Sequence, residues 1–405
     1  MILFRHAWRN LWRNPRRTAI TLTALMLTTA ILIGSGSLMQ GMLLHTVQNA
    51  TNLMTGEVQI HAPDYLFRRE IHQVLKNPEK TVAALARDGI PAASRAYGYG
   101  LVAHGAKSAG ALFWGVNPKE ERNAFDLWRY LEAGRFLSDT PQKTLVLGRK
   151  LARSLSVSVG SEIVVVVQAA DGSMGNDIYK VAGILKSAGD SIDRDCAIIH
   201  RSDFADLFVL PKGAHEIAAN TRGRLSAESE AVLAARAAPG MEVKTWRQLL
   251  PALSDITSLF DAIMMIFGLV FLLAGGLGVM NTMLMATFER TREFGIIKAL
   301  GATPFRIVKD VAMEALVLAG AASLAGLVIG ALLAWYLAVK GIDTSMFSDG
   351  YSFSGVAVDT HWRASISLKT ILFPVISMSL ISILASLYPA SLAARLDPVK
   401  AINAV

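Results

Sequence analysis

The sequence predicts an α-helical membrane protein with four transmembrane helices and a large α+β extracytoplasmic domain inserted between helices 1 and 2. The 405 residues are 52% hydrophobic and only 18% charged, which is too apolar for a soluble protein of this size. Segments 262–288 and 315–339 contain no Asp, Glu, Lys or Arg, and each is long enough to cross a hydrocarbon core about 30 Å thick. Between 45 and 254 the composition instead becomes that of a soluble domain.

The chain begins with an amphipathic segment. If residues 2–14 form a helix, Trp8, Leu11 and Trp12 lie on one side of it and Arg9 and Arg13 on the other. Such a helix lies in the plane of the membrane interface.

Span one follows a break at Asn14-Pro15 and runs without a formal charge from Thr18 to Leu44. A cleaved signal peptide is the alternative. The apolar run is too long for one, and the preceding arginines extend over a whole helix. We therefore predict that the segment is retained.

The insertion mixes short alternating runs with helical patterns, which indicates α+β structure. Strand-like runs lie at 57–61, 97–103, 111–116, 162–168, 178–184 and 197–200. Helix-like runs lie at 79–87, 148–155, 202–208 and 227–237. Because no Gly or Pro cluster separates 246–260 from span two, we expect one continuous helix there.

Basic residues set the predicted topology. Lys and Arg are frequent before span one and in 289–314 and sparse in the loop after span three, so both termini should be cytoplasmic. The predicted segments are a cytoplasmic interfacial helix (1–17), spans at 18–44, 255–288, 315–339 and 370–394, an extracytoplasmic (periplasmic) α+β domain (45–254), a cytoplasmic coupling segment (289–314), an outer loop (340–369) and a cytoplasmic tail (395–405). Lys and Arg residues next to the membrane spans thus account for the net charge of +8, and we expect no nucleic-acid partner.

Small residues at helix-packing spacing recur within the spans. Ala274 with Gly278, and Gly326 with Gly330, predict close helix contacts. Pro374 can kink span four, and the serines that follow it predict bundle packing rather than a substrate path.

The segment between spans two and three is predicted to be two helices. Phe294, Ile297 and Leu300 form an apolar stripe at three-residue spacing, and Gly301 ends the first helix. Thr303 is then a good N-cap and Pro304 a good first residue for the second helix. A surface-lying membrane helix is the alternative interpretation of this segment.

Residues 289–302, ERTREFGIIKALGA, resemble the ER-x-REIGI-x-x-ALGA signature of ABC-transporter permeases of the FtsX, MacB and LolC/LolE superfamily. Residues 388–402 resemble the closing YPA-x-x-A-A pattern of the same superfamily. With the four-span layout, the resemblance covers the whole chain.

The resemblance implies a permease subunit that couples ATP hydrolysis by a separate ATPase to motion of its periplasmic domain in the bacterial inner membrane. Its expected partners are two ATPase subunits, which bind the ATP and Mg, a second identical or homologous permease subunit, membrane lipid and, in some relatives, a periplasmic protein; no cofactor is expected in this chain. Within the insertion it implies a helix-containing subdomain built from both ends and a mostly β subdomain around 93–200. The coupling residues are then predicted to be Glu289, Arg290, Arg292, Glu293, Phe294, Ile297, Lys298, Leu300 and Gly301.

Three activities occur among such permeases: lipoprotein release, MacB-like export of peptides or antibiotics, and FtsX-like mechanotransmission without transport. The order of spans and several short sequence runs of the insertion resemble those of the lipoprotein-releasing subunits most. One departure is the short connection at 169–177, where the carrier-docking subunit has a long hairpin. A membrane-anchored sensor is the alternative from another class, but it does not need paired helices between spans.

The sequence lacks motifs of intrinsic catalysis. It contains no G-x-x-x-x-G-K-[ST], H-E-x-x-H or G-x-S-x-G pattern. Cys196 is the single cysteine, so an intrachain disulfide is excluded. We expect no catalytic residues and no metal site.

Flexible and bulky apolar residues flank the insertion on spans one and two. Methionine suits a surface that accepts varied apolar shapes. We predict a substrate path lined by Leu38, Met39, Met42, Leu43, Leu259, Phe260, Ile263, Met264 and Phe267.

Overall fold

The computed structural model describes residues 2–186, 188–210, 212–344, 351–353, 355–358 and 361–402. The chain divides into two compact units. We call Met1–Leu43, Ser258–Thr344 and His361–Val405 the membrane unit, and Leu44–Thr257 with Ser345–Thr360 the inserted domain. Parts of four predicted segments lie outside the described residues: position 1 of the N-terminal helix, positions 187 and 211 of the extracytoplasmic domain, positions 345–350, 354, 359 and 360 of the outer loop, and positions 403–405 of the tail.

Helices and strands are numbered in chain order. The helices are α1 (Ile2–Leu11), α2 (Pro15–Ala50), α3 (Tyr65–Arg68), α4 (Pro78–Arg87), α5 (Pro118–Ala124), α6 (Arg149–Leu155), α7 (Asp190–Asp195), α8 (Arg201–Leu207), α9 (Ala227–Ala237), α10 (Trp246–Leu249), α11 (Pro251–Glu289), α12 (Thr291–Ala299), α13 (Pro304–Lys340), α14 (Leu368–Arg395) and α15 (Pro398–Ile402). The strands are β1 (Val58–His61), β2 (Ala92–His104), β3 (Lys107–Val116), β4 (Leu131–Gly134), β5 (Thr144–Leu147), β6 (Glu162–Gln168), β7 (Met174–Leu185), β8 (Cys196–His200), β9 (Glu216–Ala219), β10 (Glu242–Thr245), β11 (Ile342–Asp343), β12 (Tyr351–Phe353), β13 (Val356–Val358) and β14 (His361–Trp362). A π-helical turn, Thr51–Thr55, follows α2.

Four helices of the described chain are long and apolar enough to cross a membrane. Their candidate spans are Pro15–Thr55, Pro251–Glu289, Pro304–Lys340 and Leu368–Arg395. Leu25, Val279, Leu318 and Met378, one from each helix, meet in one buried cluster. The membrane unit therefore has a shared apolar core in addition to its lipid-facing surface.

Glycines allow a close helix contact in this unit, as predicted for Gly326 and Gly330. A Cβ atom at Gly326 would lie 2.6 Å from the carbonyl oxygen of Met26, and one at Gly330 would lie 2.9 Å from Cβ of Ile33. Only hydrogen fits there, so α13 and α2 approach with backbones nearly touching. A Cβ at Gly278 would meet nothing within 4 Å in the described part of this chain, so a close helix contact of the pair Ala274 and Gly278 stays a prediction.

The inserted domain is built on one mixed sheet with strand order β10-β1-β9-β2-β3-β8-β5-β7-β4, and β6 pairs with both β2 and β7. The long strand β2 pairs with β9 through residues 92–95 and with β6 through residues 100–103. Helices α4 and α9 pack on the β1 and β9 end of the sheet. The two expected subdomains therefore share a sheet, with β2 common to both.

The predicted continuous helix over 246–260 is wrong. Helix α10 ends at Leu249, Leu250 has a non-helical conformation (φ −122°, ψ 66°), and α11 begins at Pro251. A proline disfavours the helical conformation in the residue before it and cannot donate the helical hydrogen bond. A single proline is therefore enough to break the helix.

Candidate coupling site

The segment between the second and third spans is a helix, a turn and a second helix. Helix α12 ends at Ala299 with Leu300 as its C-cap, and Gly301 follows with φ +93°, a conformation that glycine adopts without strain. Pro304 starts α13, as predicted. Thr303 has the extended backbone of an N-cap (ψ 149°), but its side chain makes no capping hydrogen bond.

One predicted coupling residue faces inward. The Phe294 side chain is only 4% exposed and packs in a cluster with Ile307, Val311, Ala390 and Ala393 of the membrane unit. Phe294, predicted to be a coupling residue, is therefore covered by its own chain and does not present its ring to a partner. An apolar stripe on a short helix does not distinguish contact with its own chain from contact with another.

Charged residues attach the end of α11 and the start of α12 to the N-terminal segment. Arg13 and Arg17 form ion pairs with Glu293 (2.6 Å) and Glu289 (2.9 Å), respectively. Burial raises the pKa of Glu293, but hydrogen bonds from Arg13 and Arg290 outweigh it and hold that pKa below its usual value. The carboxylate is thus ionised at neutral pH and stays paired.

Arg290 links the coupling segment to α13. Its guanidinium lies 3.0 Å from Glu293 and 3.0 Å from Glu314, and Glu314 is 7% exposed. The same guanidinium lies over the Phe294 ring, 5.1 Å from its centroid. A partly buried ion pair of this kind loses much more when one partner is removed than an exposed pair does.

Lys298 attaches the other end of α12 to the C-terminal part of the chain. Its Nζ donates hydrogen bonds to the carbonyl oxygens of Ala394 and Leu396, each at 2.7 Å. These carbonyls belong to the last turn of α14 and the residue after it, where a cation is favoured by the helix dipole. Helix α12 is thus held by residues from both ends of the chain.

What remains is an exposed apolar face. Ile297 is 39%, Leu300 83% and Phe305 75% exposed, and Arg292 is exposed beside them. We call Ile297, Leu300 and Phe305 the docking face. Phe305 was missed in the sequence because it lies outside the stripe, although an aromatic residue directly after a helix-starting proline is a usable signal.

The predicted substrate-path residues all lie in the membrane unit. Leu259 and Phe267 are more than half exposed, and the other seven are at least partly buried. None of the nine belongs to a packed cluster of buried residues in the described part of the chain. Their grouping into a path stays a prediction.

The described residues contain no group of three or more His, Cys, Asp or Glu side chains that could hold a metal ion. Cys196 is buried, and burial raises the pKa of its thiol well above the usual value. It therefore behaves as a small apolar side chain.

Two family models match the chain. The MacB-like periplasmic core domain matches residues 18–252, and the FtsX-like permease C-terminal domain matches residues 265–398. The chain therefore belongs to the MacB, LolC and FtsX family of ABC-transporter permeases, and it is a membrane protein. The resemblance seen in residues 289–302 is confirmed.

Among individual relatives, the lipoprotein-releasing system transmembrane protein LolC of Neisseria meningitidis is 23% identical over 75% of this chain and 75% of that protein. The uncharacterized permease YknZ of Bacillus subtilis is 30% identical over 40% of this chain and 36% of that protein. The macrolide export ATP-binding/permease protein MacB of Hahella chejuensis is 34% identical over 38% of this chain and 21% of that protein. The chain thus spans well under half of YknZ and MacB.

Proposed function

We propose that the chain is the transmembrane subunit of an ABC transporter and that its docking face receives a separate ATPase subunit. The observation that carries the proposal is the exposure of Ile297, Leu300 and Phe305 on a segment that ion pairs and Lys298 hold in place. Contiguous apolar side chains exposed to water mark interaction sites. A firmly held contact segment transmits displacement to the helices on both sides of it.

Nucleotide chemistry is assigned to the partner. The chain has no phosphate-binding motif, and the relative MacB is named as an ATP-binding/permease protein. We propose two ATPase subunits and a second permease subunit per complex, with ATP and Mg bound by the ATPases. We place the complex in a bacterial inner membrane.

The first prediction tests docking. Ile297→Asp places a charge in a contact that burial of one aliphatic side chain stabilises by about 1.5–3 kcal/mol. We expect at least a tenfold loss of ATPase affinity, measured as ATPase retained by the purified permease, with normal membrane insertion. Phe67→Asp, at a 91% exposed position of the inserted domain, is the matched control. If both variants retained the ATPase fully, the docking face would be assigned wrongly.

For the substrate we propose a lipid-linked molecule such as a lipoprotein, since the match to LolC extends over three quarters of both chains. Export of peptides or antibiotics, and mechanotransmission without transport, are the alternatives that the MacB and FtsX similarities support. The short turn between β6 and β7 is a hairpin of Ala169–Ser173 closed by the Ala169 N–H to Ser173 carbonyl contact of 2.9 Å. We therefore propose no carrier docking at this hairpin.

The second prediction tests the substrate path. A photo-crosslinking residue at Met42 or Met264 should give lipid-linked adducts in the nucleotide-free complex. The same residue at Leu332 or Ile381, on spans three and four, serves as the control. Mass spectrometry of the adducts is the measurement, and stronger adducts at Leu332 or Ile381 would move the path away from spans one and two.

A further inference from the structure

The inserted domain contains a cleft of about 840 Å³ that the coupling proposal does not use. It opens beside residues 96–99 of β2. These residues lie between the part of β2 that pairs with β9 and the part that pairs with β6. Its wall includes Leu249, Leu250 and Pro251, the break between α10 and α11. A volume of this size is typical of small-molecule sites.

Aromatic rings form one wall of the cleft. Tyr65 stacks between His61 and His215, with ring centroids 5.5 and 5.3 Å away. Tyr97 and Tyr99 are two residues apart on β2 and so point to the same face. Tyr99 is 67% exposed, so the outer part of the wall is uncovered.

A carboxyl group lies at the inner end. Glu216 accepts a hydrogen bond from the Tyr97 hydroxyl (3.0 Å) and lies 3.4 Å from Arg95 Nη1, and both contacts involve Oε1. Among the described residues nothing donates to its Oε2. The side chain keeps 7% of its surface exposed and lines the cleft.

Arg95 neutralises Glu216 only in part, because another carboxylate takes most of its donors. Its Nε and Nη2 donate to the two oxygens of Glu121 at 2.6 and 3.0 Å, and Nη1 also donates to the carbonyl of Met54. Burial raises the pKa of Glu216 to about 7, and Arg95 opposes that rise only in part. Two carboxylates thus share one guanidinium, and Glu216 is the one without its own cation.

The other groups near the cleft do not supply the missing cation. Burial lowers the pKa of His61 and of His215 to about 4, so both are neutral at pH 7. His215 is further committed, since its Nδ1 accepts from the Tyr97 backbone N–H and its Nε2 lies 2.9 Å from the Ile71 carbonyl. Arg69 and His72 line the rim but are exposed to solvent.

We propose that this cleft binds a small aromatic molecule bearing an ammonium group, with the ammonium at the Glu216 carboxylate and the ring against Tyr99. A carboxylate with a free oxygen gives a charge-assisted hydrogen bond. Aromatic faces around it attract a cation, and they also stack on an aromatic ring. Because Leu250 and Pro251 share the wall, an occupied cleft contacts the break that precedes span two.

The test uses the full-length protein in detergent and three indoles that differ in charge: tryptamine (cation), tryptophol (neutral) and indole-3-propionate (anion). Calorimetry at pH 8 should give tryptamine at least a tenfold lower Kd than tryptophol, and the weakest binding for the anion. Glu216→Gln, which keeps the side-chain size, should remove the preference for tryptamine. Equal binding of the three indoles by the native protein would overturn the proposal.

A pH series tests the assigned carboxyl. The groups that face it are Arg95 and Tyr97 on β2, Glu121 on α5, and the neutral pair His61 and His215. His72 also lines the cleft, so the series is run in a His72→Asn background, in which Glu216 is the group that titrates between pH 8 and 6. Its ionised fraction falls about tenfold over that range. Tryptamine binding should weaken by about the same factor, and tryptophol binding should stay constant. A flat tryptamine profile would contradict the role of Glu216.

Tyr99→Ala keeps the proposal testable if Glu216→Gln fails to fold, because Tyr99 lies at the exposed rim. It should weaken tryptamine and tryptophol by the same several-fold factor, and Phe67→Ala, outside the cleft, should change neither. If Tyr99→Ala bound both indoles as the native protein does, the cleft would not be the site. None of these measurements involves an ATPase, so they succeed or fail independently of the docking face.

Discussion

At the scale of single residues, Arg95 determines much of the inserted domain. Its side chain is fully buried, ion-paired to Glu121, and positioned over the Phe125 ring, 4.0 Å from the centroid. The sequence offered no sign of this role, because Arg95 lies before the strand predicted at 97–103 and an arginine is expected to face water. Removing it would leave the Glu121 carboxylate buried without a counter-charge.

The third prediction follows from that burial. Arg95→Met should lower the free energy of unfolding by about 3–5 kcal/mol, the cost of breaking a buried pair from one side. Arg129→Met removes a 60% exposed partner of Asp126 and should change the free energy of unfolding by less than about 1 kcal/mol. Urea unfolding of the full-length protein, followed by near-ultraviolet circular dichroism, measures both, and equal losses would show that the Arg95 network contributes no special stability.

At the scale of helices and strands, the sequence was most informative where a periodic pattern had clear ends. Strand β6 and helix α9 have the predicted bounds, because β6 alternates buried and exposed residues and α9 begins at a serine cap. Strands β9 and β5 were missed. Every residue of β9 is buried, so it has no alternation, and both strands are only four residues long.

The fourth prediction concerns the packing of α13 on α2. Gly326→Leu forces a side chain into a space where even a Cβ would lie 2.6 Å from the Met26 carbonyl, and overpacking of this kind costs about 1–3 kcal/mol. We expect a lower melting temperature in detergent and less folded protein in the membrane. Gly320→Leu in the same helix, where a Cβ meets nothing within 4 Å, is the control. Equal behaviour of the two variants would argue against tight packing at Gly326.

At the scale of the whole molecule, the order of spans and insertion followed from hydropathy alone, because a hydrocarbon core requires long apolar helices. The exposed surface of the coupling segment was predicted from the sequence only in part. Ile297 and Leu300 are exposed, but Phe294 is buried in the chain's own core. Which side of a short amphipathic helix is covered depends on distant residues such as Ala390, and no local pattern contains that information.

The fifth prediction tests the orientation expected from Lys and Arg counts. Cysteines at Ser173 and Ser226, both exposed in the inserted domain, should react with an impermeant thiol reagent added outside intact cells. A cysteine at Thr291 should react only after the cells are opened. Native Cys196 is 1% exposed and gives little background, and the opposite labelling pattern would reverse the proposed topology.

The position of β1 in the sheet also has a consequence for biosynthesis. Strand β1 leaves the ribosome before the other strands described here, yet its two neighbours are β9 and β10, the last strands before span two, with Val58 opposite both Ala219 and Thr245. Until those strands are synthesised, both edges of β1 lack hydrogen-bond partners. Pairings between such distant segments form slowly. We therefore expect this end of the domain to close only after translation has passed Thr245, when span two is already being made.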